Sequence, residues 1–416
     1  MGTNKTDIYV YAHWSGMLQP ELMGVLSAHQ ARGRKAFSFE YDKNWLKTKR
    51  QRLIDPDIRF YSGQQFPDNK ENFGVFLDSM PDTWGRTLMK RREAQLAKEK
   101  GRKAKTLYDI DFLLGVYDET RMGALRFKLD MDGDFLDHNK EQATPPWSDI
   151  RALQQAVAHY ENDAEDKSIN KWLNVLIAPG SSLGGARPKA NILDEHQQLW
   201  IAKFPSKNDT VDKAAWEFLT YKLATRAGIE MAACRLKKVM GKHHVFFTKR
   251  FDRKGTERIH FCSAMTLTGN NEDTIRNHAA SYLDIAECIQ NYGCNVGQNL
   301  QQLWRRMVFN IAVSNTDDHL RNHGFILGEK GWQLSPAYDL NPSTDKAGLA
   351  LNIDTDDNAL DVDLAKTVGS YFRLNNSAMN QITDEVSRSV KQWRTLAKEI
   401  GISGAEQELM SSAFKV

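Results

Sequence analysis

The passage from residue 297 to residue 322 constrains this chain most. Leu300, Leu303, Trp304, Met307, Val308 and Ile311 recur at spacings of three and four, which predicts an amphipathic helix over 297–313. That helix runs directly into SNTDDHLRN, residues 314–322, where two adjacent aspartates, a histidine, an arginine and an asparagine are crowded together. A solvated loop needs only one or two such groups to satisfy its backbone. A polar cluster delivered by a buried helix suits a site that handles metal and phosphate, which need several oxygen ligands and cations at once.

The rest of the composition sets limits. A chain of 416 residues with 41% hydrophobic and 26% charged residues is expected to form one to three globular domains. A net charge of +3 on that length gives no general attraction to polyanions. No apolar run reaches the roughly 20 residues of a membrane span. The start, MGTNKTDIYVYAHW, lacks the basic and apolar segments of a signal peptide. Cys234, Cys262, Cys288 and Cys294 have no CxxC spacing and read as reduced thiols of a cytoplasmic protein.

Along the chain, IYVYA (8–12) and AFSFEY (36–41) read as strands, and a helix is expected from about Pro81–Asp82. It continues into KRREAQLAKEKGRKAK (90–105), with eight Lys or Arg against two Glu. That run is a basic patch for a nucleic acid or acidic partner, or a solvated helix with Glu–Lys pairs. GALRFKLDMDGDFLD (123–137) reads as strand, turn at Asp132–Gly133, and strand; its DMDGD run fails the spacing of a calcium loop. QATPPW (142–147) reads as a junction, with a boundary near residue 145. Beyond it a helix from Ser148, a hairpin over ANILDEHQQLWIAKF and a helix from about Asp209 to Arg226 are expected. The last helix would be capped by Asp209 or Thr210 and closed by Gly228. KKVMGKHHVFFTKRFDRK reads as another hairpin, and the remainder as mainly helical.

Three further features suit phosphate chemistry. In PGSSLGGARPK (179–189), Gly184 and Gly185 let backbone N–H groups approach an anion, and Ser181, Ser182, Arg187 and Lys189 add donors. The loop lacks the GxxxxGK[ST] pattern of a Walker loop. In LWIAKF, Lys203 stands inside a strand, where burial requires a partner; Glu217 on the next helix is a candidate. Asp317 and Asn322 are five residues apart, as in the kinase pattern H-R-D-x-x-x-x-N. There the aspartate takes or orients the hydroxyl proton and the asparagine helps to hold Mg²⁺. Downstream, GFILGEKGWQLSPAYDL reads as a hairpin ending at Asp339, where kinases place a second metal-binding carboxylate and where a helix cap or turn residue would equally fit. His319 could orient Asp317, contact a phosphate or bond within the loop. Neither a three-ligand zinc set nor a GxSxG elbow is present.

SSLGGARPK (181–189), IAKF around Lys203, KRFDR (249–253), NTDDHLRN (315–322) and SPAYDL (335–340) closely resemble the HipA family of bacterial serine/threonine kinases, the toxins of HipBA-type toxin–antitoxin pairs. FSFEYDKNWL (37–46), MPDTWGR (80–86) and MGALRF (122–127) resemble that family's N-terminal subdomain. The resemblance implies an α/β protein. Its bilobal, protein-kinase-like fold would carry a small strand-rich N-terminal subdomain (1–145), a kinase N-lobe with glycine-rich loop and hinge (146–260), and a helical C-lobe with the catalytic loop (261–416).

It implies that Asp317 and His319 are catalytic and that Asn322 and Asp339 bind Mg²⁺. ATP would be held by the loop residues Ser182, Leu183, Gly184, Gly185, Ala186 and Lys189. Lys203 would contact the ATP phosphates, the backbone of Lys249 to Phe251 would meet the adenine as the hinge, and His319 and Tyr338 would also bind ATP. Ser182, with Ser181 beside it, would be the autophosphorylated serine. A small helix-turn-helix antitoxin, operator DNA reached through it, and an aminoacyl-tRNA synthetase as substrate are the implied partners. Arg321 stands where the family commonly has lysine. Asp318 has no assigned role. A small-molecule kinase, or a non-catalytic module binding antitoxin or DNA through residues 90–105, remains an alternative.

Overall fold

The computed structural model describes residues 4–31, 34–139, 144–162, 176, 185 and 187–415. The chain divides into two compact units. Unit 1 comprises residues 1–202, 252–271 and 327–329; unit 2 comprises 203–251, 272–326 and 330–416. Neither unit begins at residue 146.

Unit 1 is built on an antiparallel sheet of β1 (Asn4–Ala12), β2 (Glu21–Ala31), β3 (Arg34–Tyr41) and, after helix α1 (Thr83–Glu99), β4 (Leu125–Lys128), in the order β3-β2-β1-β4. Alternation decides which face is buried: Ile8, Val10 and Ala12 are fully buried on one side of β1. Phe37, Phe39 and Tyr41 do the same on β3, and Phe39 meets Phe76 at 5.8 Å. The sequence reading found β1 and β3 but not β2, whose ELMGVLSAHQA is poor in β-branched and aromatic residues. Gly24 explains part of that. A Cβ there would stand 2.3 Å from the Glu40 carbonyl oxygen and 2.6 Å from the Phe39 ring, so the sheet admits only glycine.

Helix α1 is capped by Asp82, whose Oδ1 accepts from the Gly85 amide at 2.9 Å. The basic run that follows folds back on itself. Glu93 accepts from Arg102 at 2.6 and 3.1 Å and from the Lys105 amide at 2.7 Å, and these bonds pull its carboxyl down to about 2. The expected strand pair over 123–137 is half formed. After the turn closed by Gly133 N to Asp130 O, the second arm makes one ladder bond, Leu136 N to Phe127 O. Asp137 N then donates to Val116 O and Arg121 donates to Leu136 O, so the arm is used elsewhere. Further on come α2 (Ile150–Asn162) and the hairpin of β5 (Lys189–Leu193) and β6 (Leu199–Lys203). Asp194 closes that hairpin by accepting from His196, Gln198 and Trp200.

Unit 2 opens at Lys203 and continues through helix α3 (Lys213–Arg226) and the hairpin of β7 (Cys234–Lys237) and β8 (Val245–Lys249). The cap of α3 is Asp212, three residues later than expected from Asp209, whose carboxylate instead accepts from the Ser206 amide. Gly228 closes the helix at φ +76°. The remainder is largely helical: α4 (Tyr282–Tyr292), α5 (Val296–Ala312), the strands β9 (Gly324–Gly328, whose last two residues are counted with unit 1) and β10 (Gly331–Leu334), then α6 (Asn376–Val390) and α7 (Trp393–Ile400). Leu300, Leu303, Trp304, Met307, Val308 and Ile311 are all buried, so α5 is the central helix that its periodicity predicts. No helix among the described residues is long and apolar enough to cross a membrane.

The tight site at Gly24 yields a test. Gly24→Ala is expected to destabilise the protein by about 1–3 kcal/mol or more through the clash with a backbone oxygen that cannot rotate away. A fall in the urea midpoint measures it; an unchanged midpoint contradicts the packing described.

Candidate active site

Within unit 2, the end of β6, helix α3 and the segments 314–323 and 335–341 bring charged side chains together. Lys203 is the last residue of β6, and its side chain is only 10% exposed. Its Nζ lies 2.5 Å from Glu217 Oε1 and 2.5 Å from Asp339 Oδ1. Burial works against the charge, but the two carboxylates outweigh it, and the ammonium is held above its usual range. Glu217 is buried because α3 packs much of its surface inward, with Trp216, Leu219, Thr220 and Leu223 all buried around it.

Asp339 reaches Lys203 from a backbone at φ +60°. The strand-like stretch before it is pinned at three points. Ala337 N donates to Glu230 O at 2.8 Å, buried Arg306 donates to Ser335 O at 2.6 Å, and Tyr338 Oη donates to Arg321 O at 2.8 Å. Burial draws the Arg306 guanidinium down to about 10.

The polar run after α5 divides into a buried half and an exposed half. Asp318 is 1% exposed and is the centre of the buried half. It accepts from Tyr282 Oη and from His323 Nε2, the latter at 2.6 Å. An ionised carboxylate only accepts, so His323 carries its proton on Nε2. Tyr282 in turn accepts from Asn310 Nδ2 at 2.9 Å, and Asn310 Oδ1 accepts from Asn315 Nδ2 at 3.1 Å. Burial, reinforced by the charge of Asp318, pushes the Tyr282 hydroxyl well above its usual range, so it stays a donor. This chain of bonds ties the loop to α4 and α5.

Asp317, one residue away, is exposed. Its carbonyl accepts from Asn322 Nδ2 at 2.8 Å and from the His319 amide at 3.1 Å. Asn322 thus uses its amide nitrogen to shape the loop and keeps its oxygen spare. That Oδ1 is buried without a hydrogen-bond partner among the described residues. An orphaned amide oxygen costs about 1–3 kcal/mol unless something takes it. A hard cation suits it, and Asp339 adds a carboxylate from the same unit. No cluster of three His, Cys, Asp or Glu among the described residues could hold a metal alone. The two oxygen donors, Asn322 Oδ1 and the Asp339 carboxylate, are of the hard kind that Mg²⁺ takes, one or two at a time, beside water and phosphate.

Half-buried His319 precedes the turn Leu320–Asn322 and accepts there from the Asn322 amide at 2.8 Å. Arg321 pairs with Glu272 at 2.8 Å, both about half exposed, a contact of little energetic weight. Lys249 ends β8 with its amide on Ala233 O at 2.8 Å, and the rings of Phe251 and Tyr338 meet at 5.7 Å. Gly185 and Lys189 belong to unit 1, where Lys189 is buried and paired with Asp82 at 2.7 Å. Ser181, Ser182, Leu183, Gly184 and Ala186 lie outside the described residues. Sequence reasoning missed Tyr282, Asn310 and His323. Only their tertiary meeting on Asp318 reveals them, and no local spacing carries it.

A model of the HipA-like C-terminal domain matches residues 181–393, just over half of the chain. The chain belongs to the HipA family. Among solved structures, HipA in the complex of the Shewanella oneidensis MR-1 toxin–antitoxin proteins HipA and HipB with operator DNA is similar at a TM-score of 0.65. That match covers 98% of this chain and 94% of the other at 17% identity, so the HipA fold is shared. Curated relatives include the putative kinase Y4mE of Sinorhizobium fredii, 23% identical over 34% of this chain and 33% of its own length. A putative kinase of Haemophilus influenzae is 27% identical over 38% of this chain and 52% of its own length. The matched part thus spans about a third to a half of these relatives.

The buried network makes a prediction separate from any activity. Tyr282→Phe keeps the ring and removes the hydroxyl, which leaves Asp318 and Asn310 each short of a partner. A loss of about 1–3 kcal/mol in unfolding free energy is expected. A variant as stable as the parent would show that the network does not hold the loop.

Proposed function

We propose that this HipA-family protein is an ATP- and Mg²⁺-dependent serine/threonine protein kinase, the toxin of a toxin–antitoxin pair. The observation that carries the reading is the division of labour in 317–322, joined to the Lys203–Glu217–Asp339 cluster. One carboxylate faces solvent, its neighbour is buried in a structural network, and the asparagine five residues on keeps a spare oxygen.

In this reading Asp317 orients the attacking hydroxyl and takes its proton as the bond to phosphorus forms. Lys203, kept charged by Glu217 and Asp339, neutralises phosphate oxygens. Asn322 Oδ1 and the Asp339 carboxylate would hold Mg²⁺, which supplies charge stabilisation at the phosphates when bound. Phe251 and Tyr338 offer aromatic faces to the base, and the backbone near Lys249 offers its edge contacts. His319 shapes the Asp317 turn through its main chain and adds a ring beside the phosphates. Ser182 or Ser181 is the autophosphorylation site. The functional segments are 1–145, 146–260 and 261–416: N-terminal subdomain, N-lobe and C-lobe.

The solved relative was seen with HipB and operator DNA. By analogy the partners are a HipB-like helix-turn-helix antitoxin, DNA through that antitoxin, and an aminoacyl-tRNA synthetase as protein substrate, in the cytoplasm.

Incubation with γ-labelled ATP and Mg²⁺ tests this. Label is expected on protein, abolished by Ser182→Ala with Ser181→Ala for the autophosphorylation. Asp317→Ala is expected to lower turnover by about 10²–10⁴ with the fold intact. Asn322→Ala should raise the Mg²⁺ concentration needed for half-maximal rate. Label found only on small molecules, or an Asp317→Ala variant of full activity, overturns the proposal.

A further inference from the structure

One face of α5, from its N-cap Asn295 through Gln298, Asn299 and Gln302 to Arg306, lines a pocket of about 410 Å³, its open mouth included. The pocket lies wholly within unit 2 and holds neither Asp317, Asn322 nor the Lys203 cluster. Two amides fix its walls. Asn299 donates to Cys294 O at 2.6 Å and accepts from the Leu334 amide at 3.1 Å, which ties α5 to β10. Gln302 donates to Gly228 O at 3.0 Å and accepts from the Glu230 amide at 3.3 Å, which ties α5 to the turn after α3. The cavity is therefore built in advance, and an occupant has little ordering of the wall to offset.

Its charged groups are of both signs. Arg306 is 2% exposed. Its Nη2 donates to Ser335 O, whereas its Nε is buried without a hydrogen-bond partner among the described residues. A buried guanidinium that is only partly bonded is costly until an oxygen takes the remaining donors. Glu230 is exposed and lines the same pocket. Against the burial that weakens the Arg306 charge, Glu230 is the foremost of the charges that support it, yet no ion pair joins the two among the described residues. Gln298 and Gln333 add amide groups. Asn295 adds another, because its side chain caps no amide of α5.

We propose that this pocket binds a small zwitterion, an α-amino acid with a polar side chain. Its carboxylate meets Arg306, its ammonium faces Glu230, and its side chain lies among the amides. A simple anion would face Glu230 unfavourably, and a simple cation would face Arg306 unfavourably. The volume, at the low end for small-molecule clefts even with the mouth counted, leaves no room for a nucleotide. Occupancy reaches the stretch before Asp339. Arg306 holds Ser335 O there, and Glu230 O holds the Ala337 amide. A carboxylate on Arg306 competes with Ser335 O for the guanidinium and loosens that hold. In the kinase reading, on which this consequence alone rests, the bound amino acid raises the Mg²⁺ requirement.

The test titrates the full chain calorimetrically with L-serine, L-threonine and L-glutamine, without nucleotide or metal, so that it does not depend on kinase activity. Saturable binding of at least one, with a Kd of about 1 mM or lower, is expected. Sodium acetate and ethanolamine each carry one of the two charges and should bind about tenfold more weakly. Glu230→Gln should weaken amino-acid binding about two- to fivefold and leave the ligand-free thermal midpoint unchanged. Arg306→Lys keeps the charge but loses the planar fork, and should weaken it about tenfold. If Arg306→Lys fails to fold, Glu230→Gln and the two single-charge probes decide. No saturable binding of any of the three amino acids overturns the proposal. So does acetate that binds as well as they do, or a Glu230→Gln protein that binds them like the parent. In the labelling assay the amino acid that binds should raise the Mg²⁺ concentration for half-maximal rate about fivefold. Binding with an unchanged Mg²⁺ requirement overturns the regulatory consequence. A parent protein that labels nothing overturns the kinase reading, while the titration still decides the pocket.

Discussion

A lysine ammonium placed at the end of a nearly buried strand is costly to keep. It is stable there only because two carboxylates meet it from separate parts of the sequence. That requirement fixes much around it. Glu217 must lie on the inward face of α3, so α3 buries most of its surface. Asp339 must return to the strand end after a hairpin, so the stretch 335–338 is pinned by Arg306, Glu230 and Arg321. Removing either acid would leave a partly paired charge in a poorly solvated place, so the three residues act as one unit.

The polar loop after α5 solves a different problem. A reactive carboxylate has to be exposed, yet held in one position. Adjacent aspartates achieve this because successive side chains in an irregular loop point in different directions. Asp318 turns inward to Tyr282 and His323, and Asp317 turns outward. The first fixes the backbone that presents the second. Asn322 joins the halves by holding the Asp317 carbonyl with its nitrogen while its oxygen finds no partner among the described residues.

The parts of this arrangement that were legible in the sequence are those set by local spacing. The helix over 296–312, the hairpin that ends before Asp339, and the five-residue step from Asp317 to Asn322 follow from period and turn chemistry. Lys203 was visible because a strand lysine flanked by apolar residues demands a partner, and Glu217 was nameable as that partner. What stayed hidden depends on distant chain. Strand β2 has weak intrinsic preference and exists because its neighbours pair with it on both edges. The role of Asp318 depends on Tyr282, which lies 36 residues earlier and carries no motif. Lys189 read as a phosphate donor, and nothing near it in sequence announced Asp82. The cap of α3 moved from Asp209 to Asp212 because Asp209 is engaged by the turn before it.

The left-handed backbone at Asp339 has a bearing on which residues could ever stand there. At φ +60°, side chains branched or bulky near the backbone are strained, and among non-glycine residues asparagine and aspartate are the most readily tolerated. Lys203 asks for a negative charge at that point. Glutamate meets the charge but fits the bend less well; asparagine and glycine meet the bend but not the charge. Aspartate satisfies both, so this position is chosen twice, once by the main chain and once by the ammonium opposite. Its identity would be expected to persist even in a descendant that no longer bound a metal.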